Sequence, residues 1–110
     1  RGLGDVYKRQ VWYGAHAGDH FIYPDCRPEF LQSMDVAAGL CDPSEVSVKG
    51  PFINFNKGQI FKIGIDLGVD YSKTWTCYEG QEFACGKCGS CVERLEAFAD
   101  NNTSDPINYK

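Results

Sequence analysis

Four of the six cysteines in this 110-residue chain fall in one short stretch, T-C-Y-E-G-Q-E-F-A-C-G-K-C-G-S-C at residues 76–91. Cys77, Cys85, Cys88 and Cys91 follow the spacing C-x7-C-x2-C-x2-C. Four thiolates can surround one cation tetrahedrally at about 2.3 Å each, and a C-x2-C step brings two sulfurs to one ion at little cost in backbone entropy. Gly86 and Gly89 stand where a metal knuckle turns with positive φ and aims amide N–H groups at sulfur. Cys91 is expected in the first turn of a helix, whose dipole favours a thiolate. A disulfide framework is disfavoured, because C-x2-C pairs rarely staple a fold, no secretory signal is recognised, and Cys26 and Cys41 add no obvious pairing pattern. Zinc is the expected ion. An iron–sulfur cluster stays open, since C-x2-C-x2-C also begins some cluster motifs, although the C-P that closes them is absent. With four cysteines filling the coordination sphere, one zinc per chain would be structural, and chemistry must come from elsewhere.

The second concentration of reactive side chains is at residues 16–27, where His16, Asp19, Tyr23, Asp25 and Arg27 occur within twelve positions. They offer an acid–base group, carboxylates for a cation and a guanidinium for an anion. The same types also cap helices or sit solvated in loops, so spacing alone leaves both readings open. Cys26 and Cys41 read as small packing side chains. Lys57, Lys73 and Trp75 could approach a nucleotide, but a lone lysine at a helix start and a lone tryptophan beside a metal knuckle are more often surface and packing residues.

These groups need a scaffold. V-W-Y-G-A at 11–15 is a β-branched and aromatic run ending in glycine, and reads as a buried strand. In an open parallel sheet, ligands bind beyond the carboxyl ends of strands, which places the loop after it at such a site. Pro28 suits the first turn of a helix over 28–40, with Leu31, Met34, Ala38 and Cys41 forming one stripe toward the sheet. D-P-S is a turn and E-V-S-V a second strand. Asn56 should cap a second helix carrying Ile60, Ile63 and Leu67 on one face, with Gly68 just past its end. S-C-V-E at 90–93 fits a capping box for a third helix starting at Cys91, continued by Leu95 and Phe98. The polar tail, residues 101–110, is expected to fray. Strand, helix, strand, helix is an α/β alternation around a mostly parallel sheet. Two strands do not make a sheet, so the chain reads as part of a larger domain.

Hydrophobic residues at 43% and charged residues at 24% give an ordinary globular balance, and no apolar run reaches the length of a membrane span. A net charge of −4 with scattered basic residues argues against a nucleic-acid partner. Residues 1–10 are odd. A transposon end used in preparing sequencing libraries translates as D-V-Y-K-R-Q, matching residues 5–10, so this segment is expected to be a non-native leader.

Three separated stretches carry a family likeness: G-A-H-A-G-D at 14–19, Y-P-D-C-R-P-E-F at 23–30, and T-W-T-C-Y at 74–78 with A-C-G-K-C-G-S-C-V-E-R-L-E-A-F at 84–98. In this order they resemble the C-terminal half of the 7-cyano-7-deazaguanine synthases, queuosine-pathway enzymes of the PP-loop ATP pyrophosphatase type. The resemblance implies an α/β fold, the C-terminal part of a doubly wound adenine-nucleotide-hydrolase-like domain, over residues 11–100, with a four-cysteine zinc knuckle at 77–91. It implies an ATP-dependent ligase that converts 7-carboxy-7-deazaguanine and ammonia to a nitrile. ATP, with Mg²⁺, adenylates the carboxylate, ammonia displaces AMP to leave an amide, and a second adenylation permits elimination. The zinc ligands carry over to Cys77, Cys85, Cys88 and Cys91. His16, Asp19, Asp25 and Arg27 would face the active site, with Arg27 pairing the substrate carboxylate and Asp19 or Asp25 helping to place Mg²⁺. The family's Ser-Gly-Gly-x-Asp-Ser phosphate grip is absent from this sequence, so the 110-residue chain alone is expected to be inactive and to offer no ATP-binding residues of its own. The implied setting is cytoplasmic, with small-molecule substrates, neither nucleic acid nor membrane as partner, and a homodimer allowed. Two other readings remain at this point: a stand-alone zinc module for protein or RNA contacts, and an iron–sulfur tRNA-thiolating relative.

Overall fold

The structure is a computed structural model and describes residues 9–110. Of the leader expected over residues 1–10, residues 1–8 lie outside the described residues. The chain forms two compact units, one ending at Asn56 and the other Lys57–Lys110.

In the first unit, strand β1 (Gln10–Trp12) pairs in parallel with β2 (Ser47–Lys49), Val11 opposite Val48, and helix α1 (Pro28–Cys41) makes the crossover between them. This is the α/β alternation that the sequence predicts. Pro28 is the first helical residue, where its missing N–H costs no hydrogen bond, and extended Arg27 (φ −88°, ψ 152°) precedes it. The helix stops at Asp42, whose carboxylate accepts from the Ser44 amide at 2.8 Å and hydroxyl at 2.5 Å. Glu45 then adopts φ 56°, a left-handed conformation no strand can contain, so β2 starts later than E-V-S-V suggests. Two further expectations are corrected. β1 is short and exposed rather than buried, because β2 is its one neighbour among the described residues. Of the α1 stripe, Leu31 and Ala38 are half-buried while Met34 and Cys41 are exposed. Leu31 lies over Gly50, where a Cβ would meet its Cδ2 at 2.7 Å, but the narrow sheet does not extend beneath the whole helix face.

The second unit holds α2 (Lys57–Asp66) and α3 (Gly89–Asp100). Helix α2 starts directly after Asn56 and ends in a Schellman turn: Gly68, at φ 80°, donates to Ile65 C=O, and Val69 donates to Gly64 C=O at 2.9 Å. The buried face of α2 is Phe61 and Gly64, with Ile60 and Ile63 half-buried and Leu67 exposed, a rotation away from the expected stripe. Aromatic packing sets that rotation. Phe61 lies between Tyr71 and Phe98, with ring centroids 4.4 and 4.1 Å away. On α3 the buried residues are Cys91, Arg94, Ala97 and Phe98, and Leu95 is exposed. The third helix also starts earlier than expected. Cys88 is its N-cap, so Ser90 lies inside the first turn and the predicted capping box does not set the start.

Residues 101–110 do not fray. They return to the knuckle, where Ala84 N–H donates to Asn108 C=O and Lys110 N–H to Ala84 C=O, both at 2.9 Å.

Gly64 makes the Phe61–Tyr71 contact possible, since a Cβ there would lie 1.8 Å from the Tyr71 hydroxyl oxygen. That hydroxyl donates to Phe61 C=O at 3.1 Å. Gly64→Ala should therefore displace Tyr71 and cost about 2–3 kcal/mol, from overpacking plus the lost hydrogen bond. Urea denaturation checks this. Gly14→Ala, with nothing within 4 Å of the new methyl, is the comparison that should stay near wild type.

Candidate functional site

The spacing of the four cysteines becomes a closed geometry. The Sγ atoms of Cys77, Cys85, Cys88 and Cys91 all lie within 4.8 Å of one another, and Cys85 and Cys91 are 4.0 Å apart. Thiolates at about 2.3 Å from a shared tetrahedral ion would stand about 3.8 Å apart, so the four are close to the arrangement one cation requires. All are free thiols, with Cys77 and Cys91 buried.

Backbone amides converge on the sulfurs. Cys77 Sγ accepts from Gly80 at 3.1 Å, Cys85 at 3.3 Å and Glu79 at 3.4 Å. Cys85 Sγ accepts from Cys88 at 3.2 Å and Lys87 at 3.3 Å. Gly86, at φ 73°, makes the turn that aims these donors. Gly89 does not share that conformation, contrary to expectation. As the first residue of α3 it is drawn into the helix, and one left-handed turn suffices.

The electrostatics are those of a site built for a cation. Amide donation, from Cys85 first, lowers the Cys77 thiol to about 6 against the opposing effect of burial. The Tyr78 and Cys91 amides also lower Cys88. Burial pushes Cys91 up to about 12, despite the first turn of α3 around it. Thiolates beside a buried protonated thiol form a donor set that a doubly charged ion would complete. The residues fit a metal ion.

Around this centre lie groups that the sequence reading passed over. Arg94, only 5% exposed, donates from Nε and Nη2 to both oxygens of Asp105 at 2.6 and 3.0 Å, from Nη1 to Thr74 Oγ1 at 2.8 Å, and from Nη2 to Tyr71 C=O at 3.0 Å. Burial raises Asp105, but donation from Arg94 and Tyr109 outweighs it and holds the carboxyl below its ordinary value. Tyr109, bonded to Asp105, and Ile107 pack against the cysteine cluster. Trp75 Nε1 donates to Cys77 C=O at 2.9 Å, with the ring itself exposed. The available signals were an arginine three residues after the last cysteine and the D-P-x-x-Y of the tail.

The loop candidates occupy the first unit. His16 is buried and precedes a short 3-10 turn (Ala17–Asp19). Its Nδ1 accepts from the Gly18 amide at 3.2 Å, which leaves the proton on Nε2, 3.2 Å from the Asp19 carboxylate. Arg27 Nε donates to His20 C=O at 2.6 Å. The Asp25 C=O accepts from the Tyr13 hydroxyl at 2.8 Å, and its carboxylate is 3.8 Å from Cys26 Sγ. The loop thus brings His16 and Asp19 together and ties Arg27 to its own backbone, while Tyr23 and Asp25 are exposed. Lys57 stands 3.5 Å from Glu93, and Lys73 is on the surface.

The profile of the queuosine biosynthesis protein QueC family matches residues 4–102. The chain is 59% identical over 105 residues to the 7-cyano-7-deazaguanine synthase 2 of Colwellia psychrerythraea, covering 96% of this chain and 48% of that protein. It is 58% identical over 100 residues to the 7-cyano-7-deazaguanine synthase of Marinobacter nauticus, covering 91% and 45%. With that of Methanoregula boonei it is 53% identical over 100 residues, covering 91% and 46%. The chain spans about half the length of the curated relatives it matches. No helix among the described residues is long and apolar enough to cross a membrane.

Proposed function

We propose a function from one premise: the chain belongs to the QueC family of queuosine biosynthesis proteins. It is the C-terminal half of a 7-cyano-7-deazaguanine synthase with a doubly wound, PP-loop type domain over residues 11–100, working in the cytoplasm. The whole enzyme is an ATP-dependent ligase joining ammonia to 7-carboxy-7-deazaguanine. The observation that carries this reading is 53–59% identity to the synthases of Colwellia psychrerythraea and Methanoregula boonei across more than nine-tenths of the chain.

The reaction replaces a poor leaving group twice. Transfer of AMP from ATP to the substrate carboxylate expels pyrophosphate and leaves an acyl adenylate. Ammonia adds and AMP departs, giving an amide. Adenylation of the amide oxygen by a second ATP then allows loss of AMP and a proton to form the nitrile. In this chain Arg27 is assigned to the substrate carboxylate, held in place by its Nε bond to His20 C=O. Exposed Asp25 is the better placed of the two aspartates for Mg²⁺, since Asp19 already faces His16.

Cys77, Cys85, Cys88 and Cys91 would hold one zinc ion, which supplies structure and leaves no coordination position for substrate or water. Their close approach to one another supports a single ion over an iron–sulfur cluster, which interposes several metal and sulfide atoms between its thiolates.

The test uses a chimera in which this chain replaces the matched region of the Colwellia synthase. It should form the nitrile with AMP released at both stages, while the isolated chain turns over nothing. Arg27→Ala in the chimera should lower kcat/KM by roughly 100-fold, the worth of one charge-assisted carboxylate contact. Nitrile formation without ATP would sink the reading, and full activity of Arg27→Ala would remove Arg27 from its role.

A further inference from the structure

The knuckle presents a surface that metal binding does not use. Its C-x7-C loop is wound on one sulfur, since the amides of Glu79, Gly80 and Cys85 all donate to Cys77 Sγ. A Cβ on Gly80 would run into Phe83 C=O, so the chain doubles back between these two residues. Buried Ala84, bonded to the returning tail, anchors the far end. Three aromatic side chains stand out from this fixed frame: Tyr78 is 83%, Trp75 45% and Phe83 41% exposed. The indole is itself held, because its Nε1–H is spent on Cys77 C=O. Aromatic rings held in place lose little conformational entropy when another surface covers them, which is why Trp and Tyr serve as anchors at protein interfaces.

The charge around the rings specifies the partner. Glu79 and Glu82 are exposed on the same loop, and neither makes an ion pair among the described residues. Lys87 is the one basic residue between Cys77 and Cys91. Carboxylates beside aromatic faces suit a guanidinium, which donates in its plane to a carboxylate while its face stacks on a ring. The same carboxylates repel the phosphates of a nucleic acid stacked there. A second copy brings a patch of the same sign, and two-fold pairing would set like charges together. We propose that the knuckle loop bearing Trp75, Tyr78 and Phe83 is a docking surface for an arginine-bearing segment of another protein, with guanidinium groups stacked on the rings and paired with Glu79 and Glu82. This role is additional to nitrile formation and draws on no side chain assigned to that reaction.

Titration of the chimera with a short peptide of alternating glycine and arginine, followed by NMR at the Trp75 indole N–H and the Tyr78 amide, tests the proposal. Both signals should move and saturate, with Kd on the order of 10⁻⁴ M at low salt and several-fold weaker binding at about 0.2 M salt. The same peptide with citrulline in place of arginine keeps the shape without the charge and should bind roughly 10-fold more weakly. Tyr78→Ala should weaken binding roughly 5-fold, and Glu79→Gln combined with Glu82→Gln roughly 10-fold, with loss of most of the salt dependence. Tyr78→Ala keeps the backbone amide that serves Cys88, so its zinc content should stay that of wild type. Glu96→Gln, which removes one exposed charge from α3, should leave peptide binding as it is. Equal binding of the citrulline peptide, or equal weakening by Glu96→Gln, would reduce the effect to apolar contact or to overall acidity and overturns the proposal. A uridine pentamer that moves the same signals as strongly would make the loop a nucleic-acid platform, and also overturns it. Signals indifferent to the peptide in a nitrile-forming chimera would mean that the rings are covered in the whole enzyme, and the docking surface falls while the proposed function stands.

Discussion

Cys91→Ser should strip the metal and unfold the knuckle, the largest single-residue effect expected in this chain. Cys91 is 1% exposed, and its sulfur lies among the three other thiols. The cluster has little else to hold it, since its buried members are Cys77, Ala84 and Cys91, packed on by Cys85, Cys88, Ile107 and Tyr109. Structural zinc contributes an apparent ~10–16 kcal/mol in small zinc-binding peptides at neutral pH, as much as a whole domain's net stability. Loss of a ligand therefore exceeds what the remaining apolar contacts can offset. Purified wild-type protein should carry one zinc per chain by elemental analysis, and Cys91→Ser well under a tenth of that by the same linkage. Dispersed amide resonances of the knuckle should collapse with it, and a chelator should reproduce the effect reversibly on the wild type. Cys26→Ser and Cys41→Ser should keep full metal, because neither sulfur belongs to the cluster. The sign of the pH dependence follows from the same atoms. Burial holds the Cys91 proton on to about 12 without metal, so binding must release it, and affinity falls as pH falls. Stoichiometric zinc in Cys91→Ser with unchanged spectra would refute the site, and visible absorbance with stoichiometric iron would replace zinc with a cluster.

What could be read ahead of the structure divides by how local the determining interaction is. C-x2-C spacing, Pro28 at a helix start and Gly68 past a helix end act through the chain's nearest neighbours, and all three appear where the sequence places them. Gly86 behaved likewise, but Gly89 has the same composition and spacing around it, and only the path of the chain into α3 distinguishes the two. Helix faces were less legible. Periodicity picks Ile60, Ile63 and Leu67 or the equally apolar Phe61 set, and the choice is made by Tyr71 and Phe98 from outside the helix. The Met34 side of α1 looked like core because it is apolar, but the two-stranded sheet does not reach under it and Met34 is exposed. In the loop, His16 and Asp19 were visible as a pair of types, while the Gly18 amide that fixes the imidazole tautomer was not. The tail was misread for a reason of the same kind. D-N-N-T-S-D-P-I-N-Y-K has the composition of a solvated end, and only a buried cation on another element gives its second aspartate somewhere to go.

That cation is Arg94, and Arg94→Met should cost about 3–5 kcal/mol, since removing one partner leaves a buried charge uncompensated. The side chains of Arg94 and Asp105 are only 6% and 2% exposed, so water cannot replace the missing guanidinium. Three acceptors lose the guanidinium at once: Thr74 Oγ1, the Asp105 carboxylate, which keeps Tyr109 and the Ile107 amide, and Tyr71 C=O, which keeps Thr74. The Phe98 ring also loses the guanidinium carbon 5.3 Å from its centroid. Met matches the length of the arginine stem, so the packing loss is kept small and the measured change reports mainly on the charge. Asp105→Asn should be the milder variant, because an amide oxygen can still accept from Arg94 and from the Ile107 amide, which donates to Asp105 at 3.1 Å. The double variant separates an ion-pair account from a simple packing account. If the cost comes from an orphaned carboxylate, Arg94→Met with Asp105→Asn should be less destabilised than the two single changes added together, by about 1–3 kcal/mol. Strict additivity in urea denaturation would mean that Arg94 and Asp105 act separately. Metal content measured on the same samples supplies a second readout. Asp105 orders the segment carrying Ile107 and Tyr109 onto the cysteine cluster, so Arg94→Met should release zinc to a chelator faster than wild type while all four ligands remain in place.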